Sequence, residues 1–153
     1  MPLITPSQLK EQLQPQKRLI GLDLGEKTIG LALSDKGLMV ATPYKTIQRV
    51  KFKPDARQIV AFIQEYEVQA LIMGWPLNMD GSEGPRCQST RQFVQNFLSF
   101  HDMPIIFWDE RLSTKAMDDV MLSFDVSRKK RADAIDKAAA SFILQGFLES
   151  LRF

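Results

Sequence analysis

Arg18-Leu-Ile-Gly-Leu-Asp-Leu-Gly25 reads as a β-strand closed by a glycine. The leucines and isoleucine of this run would place apolar side chains on both faces of the strand, which is typical of a central strand covered on both sides. One acid, Asp23, interrupts the run. An ionised carboxylate there costs several kcal/mol unless a cation, hydrogen bonds or a solvent-filled cleft stabilises it. An aspartate before a glycine can also simply end a strand, so the role of Asp23 depends on the rest of the chain.

Length and composition limit the class of protein. The chain has 153 residues, 44% of them hydrophobic, so we expect a short N-terminal arm or helix over residues 1–17 and a single domain with a sizeable core over residues 18–150. Lys and Arg number 20 against 18 Asp and Glu, a net charge of +2, so any basic surface for nucleic acid must be local. The sequence has no apolar run of membrane-spanning length and no signal-peptide core, which predicts a cytoplasmic protein without a membrane partner.

Cysteine and histidine each occur once, as Cys87 and His101. A lone cysteine excludes an intrachain disulfide and a cysteine-based zinc site, and it suits a reducing compartment. A lone histidine in a loop-like segment leaves no histidine–nucleophile pair of the serine- or cysteine-hydrolase kind. The candidate chemistry therefore rests with the carboxylates.

The remaining patterns predict the element order β-β-β-α-β-α-β-α-α after a short N-terminal helix. The first three strands follow one another through short turns and so form an antiparallel meander, whereas the last two follow helices and so run parallel. The fold class is α/β, with a five-stranded mixed sheet of three antiparallel and two parallel strands flanked by helices. The predicted strands are 18–25, 29–33, 38–46, 68–74 and 104–108, and the predicted helices are 5–14, from 54, 86–100, 113–124 and 132–150.

Acidic residues fall at three places that this topology would bring to one end of the sheet. Asp23 lies on the first strand, Asp109 and Glu110 lie at the end of the fifth, and Asp136 lies early in the final helix. Ligands collect outside the carboxyl ends of parallel strands, where we expect the first and fourth strands to lie side by side. We also take the strand ends that carry Asp23 and Glu110 to be adjacent. Converging carboxylates without histidine or cysteine describe a site for Mg²⁺ or Mn²⁺, which prefer oxygen ligands. Two such ions about 4 Å apart could activate a water and stabilise the leaving oxygen of a phosphodiester.

Basic residues near these acids are candidates for binding nucleic-acid phosphates. The main candidate is the run of four positive charges just before Asp136, which could also be a solvated loop. Since residues 123–131 show no apolar periodicity, we expect them to be mobile until a substrate binds. The loop over residues 78–83 either grips the substrate or packs as a structural loop. The basic candidates are Lys27, Arg86, Arg111, Arg128, Lys129, Lys130 and Arg131.

Several segments together resemble the YqgF (RuvX) family. The match covers most of residues 18–148, and the loop rich in proline and glycine is its most specific part. The matching segments are Gly21-Leu-Asp-Leu-Gly25 with Lys27-Thr-Ile-Gly30, Gly74-Trp-Pro-Leu-Asn-Met-Asp-Gly-Ser-Glu-Gly-Pro-Arg86, Asp109-Glu-Arg-Leu-Ser-Thr114, Ser127-Arg-Lys-Lys-Arg131, and Ile135-Asp-Lys-Ala-Ala139 with Ile143-Leu-Gln145.

This resemblance implies a ribonuclease H-like fold, distantly similar to RuvC Holliday-junction resolvases. It also implies a nuclease that matures the 5′ end of precursor 16S ribosomal RNA, with Asp23, Glu110 and Asp136 as its catalytic, metal-binding acids. The chain departs from the family pattern at two positions. Thr28 stands where the family often has arginine, which weakens a phosphate contact, and Trp75 stands where it often has leucine.

Two other functions stay open on the sequence, and a third does not fit its length. The first is a Holliday-junction-type resolvase of branched DNA, and the second is a noncatalytic RNA-binding factor of ribosome assembly with the same fold. The third, an actin-like or sugar-kinase ATPase, needs a second copy of this unit, for which 153 residues leave no room. We favour structured RNA in a pre-ribosomal particle, because recognition by shape and phosphates needs only a modest basic surface. We also favour a monomer, because every apolar stripe is needed to cover the sheet.

Overall fold

The computed structural model of the protein describes residues 3–78, 80–109 and 128–151, and for residues 128–136 it describes the backbone only. Within these ranges the order of elements follows the prediction, except that the predicted helix over residues 113–124 lies outside the described residues. The elements are α1 (Pro6–Gln12), β1 (Arg18–Leu24), β2 (Thr28–Ser34), β3 (Ala41–Gln48), α2 (Phe52–Glu65), β4 (Val68–Trp75), α3 (Pro85–Phe100), β5 (Ile105–Asp109) and α4 (Arg128–Ser150).

The strands form one mixed sheet in the order β3-β2-β1-β4-β5. β1, β2 and β3 pair antiparallel, while β4 pairs parallel with both β1 and β5. The predicted combination of three antiparallel and two parallel strands is confirmed. The expected pairing of the first and fourth strands is confirmed. The expectation of adjacent strand ends for Asp23 and Glu110 is wrong, because β4 lies between β1 and β5. Since β2 already occupies the other edge of β1, β5 can add only to the free edge of β4, which puts β5 about 10 Å from β1.

The third strand begins later than the sequence pattern indicates. Residues 38–40 were expected to be extended, but the strand starts at Ala41. The Asp35 carboxylate explains the difference, because its Oδ1 accepts hydrogen bonds from the backbone N–H groups of Met39 (2.7 Å) and Val40 (3.0 Å). Hydrogen bonds from Val40 and Met39 also lower the pKa of this carboxyl group. The Asp35 side chain therefore holds the preceding segment in a turn.

The final helix begins one turn earlier than predicted. Residues 128–131 form the first turn of α4, so the reading of this basic run as a loop is wrong. Arginine and lysine are good helix formers, and a lack of apolar periodicity does not exclude a helix. The turn has no acidic residue to complement the positive end of the helix dipole. The segment 123–127, expected to be mobile together with this run, lies outside the described residues.

Both faces of the sheet are covered, as the apolar pattern of β1 predicts. Leu22 of β1 and Met73 of β4 point to the layer of α2 and α3. Leu19 of β1 and Ile72 of β4 point to the layer of α1 and α4. All four side chains are fully buried. Among the described helices, none combines the length and apolar content needed to cross a bilayer.

Gln145 of α4 ties the helix to the connection between β2 and β3. Its Oε1 accepts a hydrogen bond from the Ala41 backbone N–H (2.8 Å), and its Nε2 donates to the Met39 carbonyl (3.2 Å). Replacing Gln145 by alanine removes both bonds, so we expect the free energy of unfolding to fall by about 1–2 kcal/mol. Urea denaturation measures the change. Gln95→Ala, an exposed glutamine on α3, is the control, and equal stability of the two variants would contradict the assignment.

Candidate functional site

Asp23 lies one residue before the end of β1 and is half-buried. Its backbone pairs with Gly30 of β2. Because side chains alternate along a strand, Asp23 shares a face with Gly21, while Leu22 and Leu24 point to the opposite layer. The Asp23 carboxylate is therefore placed at the carboxyl end of a central strand, on the face covered by α4.

α4 approaches β1 most closely at Gly21. A Cβ atom at Gly21 would lie 2.8 Å from Leu144 Cβ and 2.9 Å from the Ala140 carbonyl oxygen, so only glycine permits this contact. From this contact point, Asp23 lies two residues along β1, a step of about 6.6 Å. The backbone of Asp136 lies four residues before Ala140 along α4, a step of about 6 Å.

The direction of α4 decides whether these two steps lead to the same end of the sheet. Gln145, near the carboxyl end of the helix, bonds to Ala41, and Ala41 pairs with Ser34 at the end of β2. The Ser34 hydroxyl in turn accepts the Leu19 backbone N–H at 2.8 Å, at the start of β1. α4 therefore runs from the carboxyl end of β1 towards its amino end. This direction supports the placement of Asp136 near Asp23, although the Asp136 side chain lies outside the described part of the chain.

The structure describes only some of the other predicted site residues. Asp109 is the exposed last residue of β5 and pairs with Trp75. Lys27 is exposed in the turn between β1 and β2, and Arg86 is exposed in the first turn of α3. Arg86 Nη2 donates to the Leu24 carbonyl at 3.4 Å, so Arg86 reaches the end of β1. Glu110, Arg111 and the side chains of Arg128, Lys129, Lys130 and Arg131 lie outside the described residues.

The donor chemistry at Asp23 suits a hard divalent cation. Carboxylate oxygens are the ligands that Mg²⁺ and Mn²⁺ prefer, and the position at a half-buried strand end leaves one side open to solvent. Among the described side chains, no three acids, histidines or cysteines come together. The two other predicted ligands, Glu110 and Asp136, are not among those side chains, so the complete set stays a prediction.

Arg49 is a candidate that the sequence analysis missed. It follows β3, and its Nη1 donates to the Gly25 carbonyl at 2.7 Å while its backbone N–H donates to the Lys27 carbonyl at 2.9 Å. The antiparallel pairing of Thr28 with Gln48 brings the residue after β3 beside the turn before β2. This pairing register could have identified Arg49 from the sequence, but using it requires the exact end of β3, which the sequence pattern does not give.

The loop after β4 is internally bonded and attached to α3. The Asn78 backbone N–H donates to the Ser82 carbonyl at 2.9 Å. Arg91 of α3 forms a 2.8 Å ion pair with Glu83, and its guanidinium lies 5.1 Å from the Trp75 ring centroid. Of the two readings of residues 78–83, these contacts favour a packed structural loop.

The family described as "RuvX: Holliday junction resolvase" matches residues 17–150. A "Putative pre-16S rRNA nuclease" of Rhizobium meliloti (strain 1021) is 54% identical over 151 residues, covering 99% of this chain and 92% of that protein. A protein of the same name from Paramagnetospirillum magneticum is 51% identical over 150 residues, covering 98% and 97%.

Two solved structures of low sequence identity show the fold. One is "T. thermophilus RuvC in complex with Holliday junction substrate", with a TM-score of 0.55 and 12% identity over 89% of this chain and 96% of that chain. The other is the yeast mitochondrial Holliday junction resolvase Ydc2, with a TM-score of 0.50 and 11% identity over 96% and 85%. The predicted ribonuclease H-like fold is confirmed.

Proposed function

Since this chain belongs to the RuvX family, which its sequence predicted, we propose that it is a metal-dependent endonuclease acting in 5′-end maturation of precursor 16S ribosomal RNA. It is a member of a nuclease family, as expected. The observation that carries the proposal is the Asp23 carboxylate at the carboxyl end of β1, where α4 approaches the strand. The relatives that match nearly the full length are named for precursor 16S RNA, which favours that substrate over branched DNA.

In this proposal Asp23, Glu110 and Asp136 are the catalytic acids and would hold Mg²⁺ or Mn²⁺. When bound, the cation would supply charge stabilisation at the phosphodiester and a nucleophilic water. Asp23 contributes carboxylate oxygens from a strand whose neighbouring residues are buried. Its backbone pairs with Gly30 of β2, so its position costs little reorganisation. The rigid strand explains why this residue is suited to orient a reacting group.

Basic residues around the same end of the sheet are assigned to the RNA backbone. Lys27 and Arg86 lie beside the end of β1, and Arg111 follows β5 in the sequence. Residues 128–131 form the first turn of α4, about 10 Å before Asp136 along the helix axis. Phosphate contacts of this kind position a strand without reading its sequence. The proposed partner is therefore structured RNA in a pre-ribosomal particle. In this proposal the protein binds that RNA as a monomer, in the cytoplasm.

The choice of substrate is tested by incubating the purified protein with precursor 16S RNA and, separately, with a synthetic four-way DNA junction. Each reaction is run with Mg²⁺, with Mn²⁺ and with a chelator. We expect metal-dependent cleavage in the precursor segment of the RNA and an intact junction. If the junction is nicked symmetrically and the RNA stays intact, the proposed substrate is branched DNA and not RNA. Cleavage of neither substrate would favour the noncatalytic assembly factor.

A further inference from the structure

A cavity of about 410 Å³ opens at the carboxyl end of β1, on the layer of α2 and α3. Asp23 lies on the opposite face of the same strand, the face covered by α4. Its lining combines the turn after β1, the residue after β3 and the first turns of α3. The lining includes Gly25, Glu26, Arg49, Arg86, Ser89 and Thr90.

Two guanidinium groups in this lining are held by backbone carbonyls. Arg49 Nη1 donates to the Gly25 carbonyl at 2.7 Å, and Arg86 Nη2 donates to the Leu24 carbonyl at 3.4 Å. The Arg49 guanidinium also lies 6.0 Å from the Phe93 ring centroid. A guanidinium has five N–H donors in a planar fork, so the bond to Gly25 leaves Arg49 with donors for an anion. Because this bond restricts the Arg49 side chain before a ligand binds, binding costs less side-chain entropy, which favours affinity.

The amino end of α3 adds to the positive potential of the cavity. This helix has 16 residues, its N-cap Gly84 makes no side-chain capping bond, and its first turn has no acidic residue. The partial positive charge of a helix N-terminus favours an anion. Among the described residues of the lining, Glu26 is the only acid. The guanidinium groups of the two arginines and the hydroxyl groups of Ser89 and Thr90 are hydrogen-bond donors of the kind that bind phosphate oxygens.

We propose that this cavity binds a backbone phosphate of the RNA strand, one that lies beyond the phosphodiester at Asp23. The identity of the strand rests on the proposed function. Leu24 and Gly25 directly follow Asp23 in the sequence. An RNA strand that crosses the end of β1 would therefore meet the acidic site on one face of the sheet and the cavity on the other. Arg49 and Arg86 are then positioning residues, which fix how far the strand is drawn across the sheet.

The test measures RNA binding without cleavage. Fluorescence anisotropy of a labelled single-stranded RNA is recorded in a chelator over a series of salt concentrations. We expect Arg49→Gln and Arg86→Gln each to weaken binding about tenfold and to lower the salt dependence by about one phosphate contact. Lys10→Gln removes one positive charge from an exposed position on α1, in the opposite layer, and should leave both quantities unchanged.

A second pair of variants separates phosphate binding from a purely structural role of the arginines. Glu26→Gln removes the acid of the cavity without touching either arginine, and we expect it to tighten RNA binding several-fold. Glu11→Gln, at an exposed position of α1, is its charge-matched control. If the arginine variants unfold, the Glu26→Gln result alone decides: tighter binding supports the site, and unchanged binding overturns it.

Folded arginine variants that bind RNA as the parent does would also overturn the proposal. A failure of the proposed function is seen separately, as an absence of metal-dependent cleavage by the parent protein. Binding in the chelator does not depend on cleavage, so the two failures are distinguishable.

Discussion

Asp23→Asn is expected to reduce the rate of metal-dependent RNA cleavage by several orders of magnitude while the protein stays folded. Asparagine keeps the shape of the half-buried side chain but removes the charge that a cation and the transition state require. Single-turnover cleavage at saturating Mg²⁺ measures the rate, and thermal denaturation measures the stability. Asp102→Asn, at an exposed position between α3 and β5, is the matched control. Parental activity in Asp23→Asn would exclude Asp23 from catalysis.

The same assay tests whether the three acids act as one site. Glu110→Gln and Asp136→Asn should each cause a loss comparable with that of Asp23→Asn. Residues that act as a unit show strongly non-additive effects. The double variant of Asp23 and Asp136 should therefore lose little more activity than either single variant. Losses that multiply would indicate that the two acids act independently.

Gly21→Ala is expected to lower the free energy of unfolding by about 1–3 kcal/mol. The added Cβ would approach Leu144 Cβ to 2.8 Å and the Ala140 carbonyl to 2.9 Å, and neither is the flexible end of a side chain. The helix must therefore move away from β1, and Asp136 moves with it. We expect the cleavage rate to fall as well. Urea denaturation and single-turnover cleavage measure the two effects.

Gly37→Ala is the matched control for this substitution. Its added Cβ would lie 3.2 Å from Asp35 Oδ2, and a shift of a few tenths of an ångström relieves this contact while Oδ1 keeps its hydrogen bonds. Its stability should stay within about 1 kcal/mol of the parent. Equal stability of Gly21→Ala and Gly37→Ala would show that α4 does not pack on β1 as closely as described.

The sequence was sufficient where local pattern carries the information. The run from Arg18 to Gly25 predicts a strand with two buried faces, and the carboxyl end of that strand holds Asp23. Most described elements lie within a few residues of their predicted bounds, because apolar periodicity and glycine or proline punctuation are properties of neighbouring residues. The choice of Glu110 over Asp109 came from the family resemblance, since the residues alone left both open.

Contacts between distant segments were decided only by the tertiary structure. The addition of β5 to the edge of β4 that faces away from β1 depends on which edge of the sheet is free, and no local pattern reports that. The approach of α4 to Gly21 and the arrival of Arg49 at the Gly25 carbonyl depend on the register of packed elements. A shift of one residue in a strand reverses the face of every side chain. The sequence by itself therefore determined most of the described elements and the position of Asp23 on β1, whereas packing decided which described residues lie near that position.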